Sequence, residues 1–426
     1  MKPVLTGILS AILAVPSFLP AQTFTTLHSF TGKSDGALPY STLIQDKAGN
    51  LYGTTSAGGA SSGCPDLIPP GCGVVFKLDP NGKETVLHTF KGPPDGASPI
   101  GALLLDADGN LYGTTIAGGT SIACFGGCGI AYKLDPHGKE TILHNFTGGA
   151  DGAQPTGSLV RDSAGNLYGA ASTGGSFAGE CSAFSGCGVI FKLRPTGGGY
   201  VFYAFRGGTD GITPRGLSRD ASGNLYGTTT NGGALSEGTV FKVDAVGKET
   251  VLYTFTGHAD GGVPFVGVIR DAAGNLYGTT EGGGLLDCFG AGCGVIFKVD
   301  PNGKETVLHS FSGLDGALPE LAGLAGNRAG VLYGATYEGG TSTECPIGCG
   351  VVFQIDSGGK ETVLHSFSGG ADGLDPAASV VVGSAGQIYG TTLFGGESGL
   401  GTVFRMTVRG RDSESGFESK EATLLE

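Results

Sequence analysis

Short apolar runs of four to seven residues follow one another along nearly the whole chain, separated by turns rich in Gly, Asp and Asn. One stretch shows the grammar. The run Gly101-Ala102-Leu103-Leu104-Leu105-Asp106 ends in Asp-Ala-Asp-Gly-Asn and is followed by Leu111-Tyr112-Gly113-Thr114-Thr115. A Gly-Asn between two strand-like runs is a hairpin signal. A longer loop from Ile116 to Gly127 leads to a third run, Gly129 to Leu134. The tight turn Asp135-Pro136-His137-Gly138 then opens a fourth, Glu140 to Phe146. Pro supplies the fixed negative φ of such a turn and Gly the positive one. No segment carries a period of 3.6, so the pattern predicts four short antiparallel strands and no helix.

The unit recurs seven times. Its Leu-Tyr-Gly core places tyrosines at Tyr52, Tyr112, Tyr168, Tyr226, Tyr277, Tyr333 and Tyr389, in steps of 60, 56, 58, 51, 56 and 56 residues. Seven four-stranded units predict an all-β fold, a seven-bladed β-propeller. The chain ends favour a ring over an open solenoid. The last unit supplies Ser379 to Val382, Gln387 to Thr392 and Gly401 to Val408, and lacks a fourth run. That run stands at the other end, where Phe24 to Phe30 matches Thr85 to Phe90, so the N-terminal strand is expected to complete the last blade. The propeller then spans 22–408, and the charged, Ser-rich segment 409–426 is expected to be a disordered tail.

Composition adds the compartment. Lys2 followed by the apolar run Val4 to Leu19 and then Pro20-Ala21 predicts a signal peptide over residues 1–21, too short for a membrane span. The mature chain is therefore expected to be secreted or periplasmic, monomeric and without a membrane-spanning segment. The ten cysteines fall into five close pairs, Cys64/Cys72, Cys124/Cys128, Cys181/Cys187, Cys288/Cys293 and Cys345/Cys349. In an exported protein such pairs predict disulfides. Zinc is the weaker reading, since each loop offers two thiols and no histidine. A net charge of −13 argues against nucleic acid and anionic membrane surfaces as partners.

Three motifs in fixed order carry a family resemblance: Gly49-Asn-Leu-Tyr-Gly-Thr-Thr55, Gly73-Val-Val-Phe-Lys-Leu78 and Glu84-Thr-Val-Leu-His-Thr-Phe90, with their recurrences over about residues 24–406. The chain resembles the tandem repeat called GloVer, found in exported bacterial proteins with a choice of C-terminal anchor. The resemblance implies an extracytoplasmic repeat protein and brings no catalytic residues with it. Arg409 to Glu426 contains no apolar anchor segment, so release is the expectation. The coarser Asp-x-x-Gly-Asn-Leu-Tyr pattern is similar to that of other propellers, some lyases and lactonases among them.

Candidate chemistry sits where loops meet. Asp35, Asp95, Asp151, Asp210, Asp260, Asp315 and Asp372 each precede a glycine in the turn between blades. They form either a ring able to hold Ca²⁺ or, as sevenfold repetition favours, carboxylates capping their own turns; no cofactor is otherwise expected. Asp46, Asp106, Asp162, Asp220 and Asp271 cap the turns of the opposite face. His28, His88, His144, His309 and His365 recur on the outermost strand and are expected to pack between blades with a ring nitrogen at the rim. Arg161, Arg219 and Arg270 recur in three consecutive blades as solvated charges or a local anion site. A unique site requires positions that differ between blades. Just after the turn proline stand Tyr40, Ile100, Thr156, Arg215, Phe265, Glu320 and Ala377. Of these, Tyr40, Arg215, Phe265 and Glu320 combine flat apolar faces with opposite charges, as ligand sites do. Glu281, Tyr337, Glu338 and Phe394 add to the same mouth. The expected function is a binding scaffold for a glycan, peptide or other envelope component. The alternative is a propeller lyase or hydrolase acting around Arg215, Glu320 and Tyr40.

Overall fold

The computed structural model describes residues 22–59, 62–285, 288, 290, 292–319, 322–326, 330–383 and 386–408. The expected signal peptide and the polar tail lie outside them. Seven antiparallel sheets form the seven blades of a β-propeller, with four strands each in the common plan. In the first blade the strands are Ile44–Gln45, Leu51–Thr55, Val74–Leu78 and Glu84–Thr89. Thr23–Ser29 pairs with Thr402–Thr407, which pairs in turn with Gln387–Thr392. The N-terminal strand is therefore the outermost strand of the last blade, and it closes the ring.

The innermost strand is shorter than its apolar run suggests. Gly101 to Asp106 contributes only Leu104–Leu105, and Ser379 to Val382 only Val381–Val382. The chain just before this strand is crowded against its neighbours. A Cβ on Gly157 would lie 2.8 Å from Gly216 Cα, and one on Gly267 would lie 2.1 Å from Gly216 O. Backbone meets backbone at these three positions, and only residues without a side chain allow it.

Blade faces carry the core. The seven apolar clusters each join two consecutive blades. At each seam the aromatic ending one outermost strand meets the aromatic of the next blade's third strand edge to face. The pair Phe30–Phe76 has centroids 5.2 Å apart and Phe255–Phe297 5.0 Å. Such geometry contributes about 0.5–1.5 kcal/mol beyond the area buried. Glycine in the Leu-Tyr-Gly motif makes room for that ring: a Cβ on Gly53 would stand 2.7 Å from Phe76 Cζ. In all seven blades the outermost strand also carries a β-bulge before its His or Tyr position. Among the described residues no helix is long and apolar enough to cross a membrane.

Candidate functional site

One face of the ring collects the turns between blades and the loops between second and third strands. All five expected disulfides are formed there: Cys64–Cys72, Cys124–Cys128, Cys181–Cys187, Cys288–Cys293 and Cys345–Cys349. They staple the five long loops. The short loops of the fourth and seventh blades have none, and Glu237 and Leu400 pack there against Gly257 and Gly32, as cystine sulfur does against Gly148 and Gly207.

Each loop holds the next turn. The residue before the turn proline is left-handed in every blade: Leu38, Ser98, Gln154, Thr213, Val263, Leu318 and Asp375 have φ between 51° and 63°. A pre-proline residue is ordinarily extended, so this conformation has to be imposed. The N–H of Gln154 donates to the carbonyl of Cys128 at 3.0 Å, and that of Asp375 to Cys349 at 3.0 Å. Ser98, Thr213 and Leu318 donate likewise to Cys72, Cys187 and Cys293, while Val263 and Leu38 use Glu237 and Leu400.

The residue after that proline is where the blades differ. The structure brings Arg215, Phe265 and Tyr40 together. The Arg215 guanidinium lies 4.4 Å from the Phe265 ring centroid. Its Nε donates to Thr230 Oγ1 at 2.7 Å and its Nη1 to Thr156 Oγ1 at 3.4 Å. Burial pulls the guanidinium down to about 10, and the nearby Tyr40 and Glu281 act against that shift. Arg215 thus remains a cation at neutral pH, held by three blades with Tyr40 of a fourth beside it. Glu320, the fourth expected residue, lies outside the described residues. Glu281 is itself raised by burial, with Arg215 opposing.

Sequence reasoning missed Asp375. Burial raises its carboxyl to about 6, the charge of Glu338 adds to this, and Tyr337 opposes it. Glu338 is raised by burial too, and its Oε2 is buried without a hydrogen-bond partner. Gly59-x-Ser61-x-Gly63 matches a nucleophile pattern by composition, but it belongs to the first disulfide loop and not to a strand-to-helix turn, and Ser61 lies outside the described residues.

The two acidic series cap turns. Asp35 accepts from the N–H and Oγ1 of Thr31 at 2.7 and 2.6 Å, and from Lys33 N–H. Asp46 accepts from Asn50 N–H and Nδ2, and from the Tyr52 hydroxyl at 3.0 Å. In five blades the motif tyrosine is therefore more than seam packing, because its hydroxyl closes the Asp-x-x-x-Asn hairpin. Three of the five histidines differ from expectation: their Nε2 meets the turn carboxylate instead of the rim, while His28 and His88 stand 3.7 Å from theirs. His144 to Asp151, His309 to Asp315 and His365 to Asp372 are each 3.0 Å. Two of the three arginines of the opposite face also have local partners. Arg161 lies over Tyr112 at 5.8 Å and beside Asp106 at 4.0 Å, and Arg270 lies over Tyr226 at 5.6 Å.

The sequence matches the model of the Gloeobacter/Verrucomicrobia repeat over residues 14–184 and again over 180–348. The chain belongs to the Gloeobacter/Verrucomicrobia repeat family. The resemblance carried by the three motifs is thereby borne out. No curated protein matches this member of the repeat family. Among solved structures it is similar to the extracellular domain of a protein described as a hybrid two-component system of B. thetaiotaomicron. The TM-score is 0.55 at 11% identity, over 90% of this chain and 40% of that one. That likeness is one of fold. A gluconolactonase of Xanthomonas campestris also aligns, over 91% of this chain and 90% of that one, at 14% identity and a TM-score of 0.43.

Proposed function

We propose that this repeat protein is an exported binding module whose working face is the one bearing the disulfide loops and the channel mouth. One observation carries the reading. Of the thirteen exposed large apolar side chains among the described residues, ten lie on that face, and every blade contributes at least one. Ile122 and Phe125 are 98% and 99% exposed at the tip of a stapled loop. Ile68, Leu235, Ile347 and Phe394 stand in the corresponding loops of other blades. Exposed apolar groups gathered on one side mark contact with a partner, and disulfides keep the ordering cost of such tips low. Disulfides also persist in oxidising compartments, which supports export. The partner that fits is a polypeptide strand or glycan of the envelope, with Phe265 and Tyr40 as flat faces and Arg215 as the fixed polar contact.

The test is binding to peptide and glycan arrays by the whole protein, followed by thermal-shift screening of the hits and of Ca²⁺. Variants Phe125→Ser and Phe265→Ala should each weaken a hit at least tenfold, while Val246→Ser on the opposite face leaves it unchanged. Equal affinity in all three would sink the assignment of this face.

A second reading rests on Asp375 and Glu338, two carboxyls with raised proton affinity at one seam of the same face. Paired carboxyls of this kind serve acid–base cleavage of glycans. Turnover of a polysaccharide panel that vanishes in Asp375→Asn would favour this reading, and turnover that survives the change would dismiss it.

A further inference from the structure

The seams between blades carry a second repeated constellation, composed differently in each. An outermost-strand His or Tyr, the turn Asp after it and the first residue of the next blade's outermost strand converge. Where the third member is missing, the first two bond directly. His144 and Asp151 face Gly199 and are 3.0 Å apart. His365 and Asp372 are also 3.0 Å apart, with Phe24 stacked on the imidazole at 4.1 Å. Two seams break this pattern: at the closing seam His28 Nε2 stands 3.7 Å from Asp35 Oδ2 without gathering Glu84 into a three-atom cluster, and the seam between the first and second blades goes further. His88 Nε2 stands off from both carboxylates, 3.7 Å from Asp95 Oδ2 and 4.0 Å from Glu140 Oε1. All three donor atoms lie within 4.8 Å of one another. His88 Nε2 and Glu140 Oε1 are buried and have no hydrogen-bond partner.

We propose that His88 Nε2, Asp95 Oδ2 and Glu140 Oε1 form a Zn²⁺ site that clamps the first blade to the second. One neutral imidazole and two carboxylates compensate the ion's charge, and a mixed N/O set suits zinc better than calcium, which takes six or more oxygens. Tetrahedral zinc holds its ligands roughly 3.4 Å apart, so the two separations from His88 Nε2 have to shorten by roughly half an ångström. His88 is held edge to face against Phe90 at 4.8 Å, as the other four histidines are against their own phenylalanines. The seam also departs from the repeat at a second residue. Tyr132 stands where Phe76, Phe191, Phe241, Phe297, Phe353 and Phe404 stand in the other blades, and it is completely buried. Its Oη has no partner, and the charges of Glu140 and Asp95 both act on it. A hydroxyl buried beside two carboxylates in one blade of seven gives this seam the asymmetry that a bound ion requires. The same residue types recur at His309, Asp315 and Glu361, but there Nε2 is already committed to Asp315 at 3.0 Å.

The test uses tag-free, full-length protein stripped with chelator and titrated with Zn²⁺ in competition with a chromophoric chelator. Glu140→Gln and His88→Gln should each lose one equivalent, or bind it at least 100-fold more weakly, with circular dichroism unchanged. His144→Gln, at a seam without the third ligand, should keep the wild-type stoichiometry. Cobalt in place of zinc should show absorption bands that vanish in Glu140→Gln. A wild-type protein that takes up no zinc, or a Glu140→Gln variant that takes up as much as wild type, overturns the assignment.

Discussion

The guanidinium of Arg215 stacks on the ring of Phe265, 4.4 Å away and one blade further on. Both occupy the position after the turn proline, so the contact is a property of the ring and not of either blade. Cation–π contacts of this kind are worth about 1 kcal/mol. In a double-mutant cycle, Arg215→Ala and Phe265→Ala should therefore show a coupling of about 1 kcal/mol in denaturant midpoints. Additivity of the two changes would show that the stack does nothing.

The five disulfides close loops with separations of only 4 to 8 residues. Each should contribute roughly 2 kcal/mol by restricting the unfolded chain. Intact mass should show the loss of ten thiol hydrogens. Replacing Cys345 and Cys349 by Ser should lower the melting temperature, and hydrogen exchange should rise at the Asp375 N–H, which the Cys349 carbonyl holds. Unchanged exchange there would separate the loop from the turn.

Glu249 and Glu305 sit at the two seams where tyrosine takes the place of the outermost-strand histidine. Burial lifts both carboxyls to about 7, and the charges of Asp210 and Asp260 add to it. The folded state then holds these protons at higher pH than the unfolded chain does. Their stabilisation is complete below the unfolded value near 4.5 and is lost as pH rises through 7. A Glu249→Gln, Glu305→Gln double variant should gain on wild type in melting temperature as pH climbs from 4.5 to 7.5. Parallel profiles would contradict this.

Gly53 leaves no room for a methyl group, with Phe76 Cζ and Leu43 Cδ2 at 2.7 and 2.8 Å from the position of its Cβ. Gly53→Ala should cost about 1–3 kcal/mol by overpacking. Phe76→Leu in the same chain should recover part of the loss. A penalty under about 0.5 kcal/mol would mean that the ring yields freely.

The blades, their count and the closing strand were legible because each rests on a local pattern copied seven times. Leu51–Thr55 and Val74–Leu78 could be recognised from any other copy. The mouth was legible only as a set of positions. That Phe265 neighbours Arg215 follows from the repeat index. That Tyr40 approaches Arg215 from three blades away does not, because it depends on how narrow the ring is at that level. The seams were the least legible part. Glu84, Glu140, Glu249, Glu305 and Glu361 open the fourth-strand motif in plain view, but each feels the turn aspartate of the preceding blade, some forty to fifty residues upstream. Asp375 escaped for a related reason. Its proton affinity comes from burial and from Glu338 on another loop, and neither is written in the turn that contains it.

The seven left-handed turns divide labour between main chain and side chain. Main-chain hydrogen bonds to carbonyls of the preceding loop fix where each turn stands, and they are indifferent to the side chain that follows the proline. Tyrosine, isoleucine, threonine, arginine, phenylalanine, glutamate and alanine occupy that place in this one molecule. The frame is thus a rack of seven interchangeable tiles, and a new specificity can be written by exchanging a tile without rebuilding the rack.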